Sequence, residues 1–86
     1  MQHLHKLMRL TTRDVVEVNL RAPAYVFLMD EDNYQLYLDD AEFEYYGGLV
    51  RNSQIQLRAP FLDQWHLVIE QENKADDLQV SIRIVS

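Results

Sequence analysis

His3 and His5 stand two residues apart, so on a β-strand both imidazoles leave the same face, as a pair of metal ligands would, with His66 as the third ring that could complete such a site. Nothing in the spacing brings His66 near them, and His3 lies in a terminal stretch that tends to fray. The expected state is two exposed histidines, His3 and His5, without metal. Asp30, Asp32 and Asn33 offer hard oxygens to Ca²⁺, but the fifth loop position is Tyr34 and the glycine that a calcium loop needs is missing. Asp63 and His66 suggest an orienter and a base. With no cysteine, and with Ser53 and Ser81 outside any nucleophile motif, such a pair has nothing to activate, so neither a catalytic residue nor a cofactor is expected.

The aromatic residues are the stronger candidates for function. Tyrosine and tryptophan are favoured where one side of a contact is wet and the other apolar, and the chain places Tyr25, Tyr34, Tyr37, Tyr45, Tyr46 and Trp65 among 86 residues. Tyr45 and Trp65 are expected in the core with the other rings lidding sheet edges; a binding patch is the second reading, and both can hold for different rings. Close to these rings runs an acidic segment. Asp30, Glu31, Asp32, Asp39, Asp40, Glu42 and Glu44 supply half of the 14 acids with no lysine or arginine among them. Such a segment is either a solvated loop or a docking surface for a basic partner.

Charge and composition narrow the classes. A net charge of −6 disfavours nucleic acid and anionic membranes, both of which need lysine and arginine to neutralise phosphate. No apolar run reaches the roughly 18 to 20 residues that span a bilayer, and the first residues lack the apolar stretch of a signal peptide, so a cytoplasmic location is expected. Eighty-six residues, 48% of them hydrophobic, supply one modest core and one domain over 1–86. Without cysteine, packing alone must hold it.

The elements that would position these residues are short strands. Val16, Val18 and Leu20 alternate with Glu17 and Asn19, which is a half-buried strand, and Arg21-Ala22-Pro23 ends it. Tyr25 to Met29 is apolar on both sides, as in a strand covered on two faces or one with an aromatic outer face. Asp30 to Asn33 can cap a short helix with Tyr34, Leu36, Tyr37 and Leu38 as its body; an extended loop is the alternative. Phe43 and Tyr45 alternate with Glu42 and Glu44, which indicates a strand leading into Gly47-Gly48. That pair holds the only glycines of the chain, so φ > 0, a bulge or tight turn, or close backbone approach is expected there. Ile55 and Leu57, then Trp65, Leu67 and Ile69, then Leu78, Val80, Ile82 and Ile84 mark three further strands, with a polar turn over 71–77. Residues 3–10 can add a first strand whose inward face, Leu4, Met8 and Leu10, is interrupted by Lys6. Leu-Arg-Ala-Pro at 20–23 recurs at 57–60 and reads as two similar turns.

The order of these motifs resembles the bacterial domain-of-unknown-function family DUF1883. The resemblance is carried by Asp14-Val15-Val16-Glu17-Val18, by Leu28-Met29-Asp30 leading to Asn33-Tyr34 and Tyr37, by Tyr45-Tyr46-Gly47-Gly48, and by Trp65 in an apolar strand. It spans nearly the whole chain, with the Tyr-Tyr-Gly-Gly element its most specific part. Two departures stand out: Arg13 where a glycine is expected before the valine strand, and a diverged Trp65-His66 strand. The resemblance implies a compact β-domain without established activity, fused in some relatives to signalling domains of the Toll/interleukin-receptor type, and hence an accessory or sensing role.

These observations predict an all-β fold, a small antiparallel β-sandwich or partly open barrel of six to seven jelly-roll-like strands with one short helical turn near 31–38. The expected function is non-enzymatic protein interaction or sensing. The candidate binding residues are Tyr34, Tyr37, Asp39, Asp40, Glu42, Tyr46 and Trp65, with Gly47 and Gly48 structural. The expected partner is a protein, best a basic one, and a homo-oligomer is compatible with the same face; nucleic acid, membrane, metal and cofactor are not expected. The alternative is a small-ligand module, such as a carbohydrate binder stacking its ligand on Trp65 or a tyrosine.

Overall fold

The computed structural model describes residues 3–51, 53–71 and 79–85. Among these described residues, seven strands and one helix follow one another as β1 (His3–Leu10), β2 (Val15–Leu20), β3 (Ala24–Met29), α1 (Glu31–Leu38), β4 (Tyr46–Val50), β5 (Gln54–Arg58), β6 (Asp63–Gln71) and β7 (Val80–Val85). They form two antiparallel sheets, one in the order β1-β6-β3-β4 and the other β5-β2-β7. No ladder joins the two sheets among the described residues, so the fold is a small β-sandwich and not a closed barrel. None of the described helices is long and apolar enough to cross a membrane.

Period-two patterning builds the core between the sheets. Val16, Val18 and Leu20 of β2 face Val26 and Leu28 of β3 and Trp65, Leu67 and Ile69 of β6 in one buried cluster. Lys6 occupies the inward register of β1 yet remains exposed, because β1 is an edge strand and the long side chain can leave the sandwich there. The first turn does without a glycine. Asp14 accepts hydrogen bonds from the Thr11 backbone N–H (2.9 Å) and hydroxyl (3.3 Å), and Arg13 keeps a negative φ.

The β3 and β6 strands are apolar on both faces for a concrete reason. They are the central strands of the four-stranded sheet, with the core on one side and α1 with the chain after it on the other. Phe27, Met29 and Val68 form a second cluster on that outward face, covered by Tyr34, Tyr37 and Phe43. The helix is short and has no buried residue of its own. Its start is set by Asp30, whose carboxylate accepts from the Asn33 backbone N–H at 2.9 Å.

One expected strand is displaced. Residues 41–45 make no ladder, and β4 begins at Tyr46 with both glycines inside it. The alternation of Phe43 and Tyr45 instead reflects a segment folded back over the sheet, where Phe43 meets Phe27 edge-on at 5.6 Å and the Glu44 N–H donates to Asn33 Oδ1. Nor are the glycines a turn or bulge, since the β3/β4 register runs unbroken from Leu28 opposite Tyr46 to Ala24 opposite Val50. They have φ of 118° and 133°. A Cβ on Gly47 would lie 2.1 Å from the Val26 carbonyl oxygen, so close backbone approach excludes any side chain there. The turn expected over 71–77 lies, apart from Gln71 in β6, outside the described residues, as does Leu78.

Candidate partner-binding face

The outward face of the four-stranded sheet gathers residues that are far apart in sequence. On β1 and β6, His5 and His66 occupy diagonal positions of the antiparallel register, with His5 opposite Val68 and His66 opposite Leu7. His5 Nε2 is 2.8 Å from His66 Nδ1, and His66 Nε2 is 2.8 Å from Glu31 Oε1 in the first turn of α1. A carboxylate only accepts, so His66 carries its proton on Nε2; when neutral it accepts at Nδ1 from the Nε2–H of His5. The chain of donors therefore runs from His5 through His66 to Glu31. Tyr34 lies flat against both rings, at 4.1 Å from His66 and 4.5 Å from His5.

Electrostatics favour the neutral form of His5 and the ionised form of Glu31. Burial, then the neighbouring rings of His66 and His3, push the pKa of His5 down, against a smaller opposite pull from Glu31. Glu31 is held below the ordinary carboxylate range by the hydrogen bond from Gln35 (2.6 Å) and then by that from His66. The cluster fastens the start of α1 to the sheet. Among the described residues no hydroxyl or thiol joins either ring, and no group of His, Asp and Glu is arranged to hold a metal ion. Asp63 does not orient His66. Three positions apart on one strand, the two side chains leave opposite faces, and the Asp63 carboxylate accepts from the Gln64 N–H instead.

One turn further along α1, Tyr37 donates to Glu70 Oε2 at 2.5 Å. Burial, followed by the Glu70 carboxylate, pushes its phenol well above the ordinary range. Beside it opens a cleft of about 630 Å³ lined by Tyr25, Phe27, Tyr37, Phe43, Asp40 and Glu70, with His3 at its rim. Phe27 is the floor, 9% exposed, and the ring of Phe43 stands at 84° to that of Tyr37 with centroids 5.3 Å apart. Tyr25, Glu70 and His3 form one cross-strand row over β3, β6 and β1. At the helix end, the Asp40 N–H donates to Tyr37 O and the Ala41 N–H to Leu36 O, a Schellman motif with Asp40 at the left-handed position (φ 58°).

A protein-family model described as a domain of unknown function (DUF1883) matches residues 1–86. The chain belongs to the DUF1883 family. No curated protein matches it, and no solved structure does.

Within this DUF1883 domain the residues singled out from sequence divide into two places. Tyr37 and Asp40 line the 630 Å³ cleft; Tyr34 lies next to them over the histidines, and Asp39 and Glu42 are exposed on the adjoining chain. Tyr46 borders a different cavity, of about 420 Å³, with Asp30, Asn33, Tyr45 and Phe61. Trp65 lines that same cavity from the core side: it is 1% exposed, its indole N–H donates to Phe61 O, and its ring lies edge-on to Tyr46 at 6.1 Å. Tyr45, expected in the core, is 45% exposed because the segment carrying it lies outside the sheet. Phe27, Phe43 and Glu70 were not singled out. The apolar outward positions of β3 carried a signal for Phe27, since such a face must be covered; nothing local marks Glu70.

Proposed function

We propose that this domain is a non-enzymatic interaction module of the cytoplasm that captures a basic protein partner on the face made by α1, residues 39–45 and the outward side of β3 and β6. The observation that carries this reading is the convergence of acid and aromatic side chains at one cleft, where Tyr25, Phe27, Tyr37 and Phe43 meet Asp40 and Glu70. Aromatic anchors govern how long a partner stays, while exposed acids govern how fast it arrives. Fluorescence-anisotropy titration with labelled heptalysine and heptaarginine tests it. Saturable binding that weakens between low and high salt is expected, slower in association for the Asp39→Asn, Asp40→Asn, Glu42→Gln triple variant and faster in dissociation for Tyr37→Ala. Absence of binding by both peptides would overturn the reading.

A second reading, a small-ligand module, is favoured by the 420 Å³ cavity, whose Tyr45, Tyr46 and Phe61 are exposed beside the polar Asp30 and Asn33. A rise in Tm with neutral sugars would move the assignment there.

A further inference from the structure

We propose that the 630 Å³ cleft is a receptor for a single alkylammonium group, the head of a lysine side chain on the partner. The inference rests on the proposed capture of a basic protein and names the group that is recognised.

Three features of the cleft converge on a compact cation. The first is its ring lining. The rings of Phe27, Tyr37 and Phe43 pack at steep angles to one another, 53° between Phe27 and Tyr37 and 87° between Phe27 and Phe43, while Tyr25 continues the wall beside Phe27. A cavity walled by aromatic rings is the kind of site in which quaternary and protonated amines are held. The second is charge. Glu70 and Asp40 both line the cleft, and Glu70 accepts there from Tyr37.

The third is the end of α1. Helix C-termini carry partial negative charge and are ordinarily matched by basic residues; here the last turn has none, and Asp39 and Asp40 follow it directly. Asp40 even occupies a left-handed position that glycine fills at less cost. A helix end so poorly neutralised favours any cation that settles beside it. An apolar occupant would instead remove water from the Glu70 carboxylate without compensation.

An ammonium fits better than a guanidinium. One oxygen of Glu70 already accepts from Tyr37, so the paired oxygens that a guanidinium fork grips are not both open, whereas a point charge needs only one.

The test is a ¹H–¹⁵N NMR titration of the whole chain with choline, against 3,3-dimethylbutan-1-ol as its neutral isostere. Choline is expected to shift the amides of Tyr25, Phe27, Tyr37, Asp40 and Glu70 saturably, with affinity about tenfold weaker in Tyr25→Ala and in Glu70→Gln. Tyr25 is 38% exposed and glutamine still accepts from Tyr37, so both variants should fold, which the spectra themselves verify. Equal binding of the neutral isostere, or choline shifts scattered along the acidic loop without saturation, would overturn the proposal. If heptalysine and heptaarginine bind alike and Tyr25→Ala changes neither, the ammonium receptor falls while the basic partner stands. If choline saturates the cleft and neither peptide binds, the receptor stands and the protein partner falls.

Discussion

The two outward faces of the sandwich are built from the same strand geometry and have opposite characters. Over the three-stranded sheet, Glu17, Asn19, Gln54, Gln56 and Arg83 face solvent and satisfy one another: Gln56 and Arg83 both donate to Glu17, and Gln54 donates to Asn19. Over the four-stranded sheet the corresponding positions are Phe27, Met29, His66 and Val68, all buried beneath α1 and residues 39–45. The first is a plain solvated face. The second requires a cover, and the cover brings acids, rings and a cleft with it. A face that needs only water leaves little for a partner to do, whereas one closed by a short helix without a buried residue keeps apolar surface near the solvent boundary.

The largest test of that contrast is Phe27→Ala. Phe27 touches the rings of Tyr25, Tyr37, Phe43 and Tyr45, so its removal empties the centre of the covered face and should cost about 3 to 5 kcal/mol in urea unfolding. Phe27→Leu, which keeps most of the volume, serves if the alanine variant does not fold. On the bare face Arg83→Ala should cost less than about 1 kcal/mol, since the Arg83 side chain is 68% exposed. Similar losses for Phe27→Ala and Arg83→Ala would erase the distinction between the faces.

The next effect separates the two glycines of β4, which edges the covered sheet. Both have positive φ, so alanine at either carries backbone strain of roughly 1 to 3 kcal/mol. Only Gly47 adds a clash with the Val26 carbonyl; nothing lies within 4 Å of a Cβ at Gly48. Gly47→Ala should therefore lower the denaturation midpoint more than Gly48→Ala. Equal midpoints would show that conformation alone, and not the close approach of β4 to β3, demands glycine here.

Much of the bare sheet could be read directly from sequence, because β2 and β7 alternate cleanly and alternation reports a strand with one wet face. The covered sheet was legible in outline: the two-sided apolar run of β3 announced a cover, and Asp30 announced the helix. What escaped was the use of the cover. Phe43 and Tyr45 alternate with acids as a strand would, yet they lie across the sheet, so period two alone misplaced β4. Within the candidate face, Tyr37 and Asp40 were readable as an exposed ring and acid next to each other. The pairing of Tyr37 with Glu70, 33 residues away, and of His5 with His66, 61 residues away, depends on strand register, which no local pattern encodes.

The smallest effect expected is acid sensitivity confined to the covered face. His5 is held below its ordinary value of 6.5, first by burial and then by His66 and His3, while Glu31 pulls weakly the other way. Because the unfolded chain takes up that proton more readily than the folded one, the stability tied to neutral His5 is complete above pH 6.5 and declines as the pH falls below it. Glu31, held below its ordinary value of 4.5, adds a second loss only at pH below that value. Between pH 7.5 and 5.5 the wild type should thus lose more in Tm than His5→Phe, which keeps a ring against Tyr34 but cannot titrate. Amide exchange, corrected for its intrinsic pH dependence, should quicken over the same interval in α1 and not in β2. An equal fall in Tm for wild type and variant, or loosening spread evenly over both sheets, would mean that the hydrogen-bonded pair of imidazoles does not fasten the helix, and that ring packing by Tyr34, Tyr37 and Phe43 holds the cover alone.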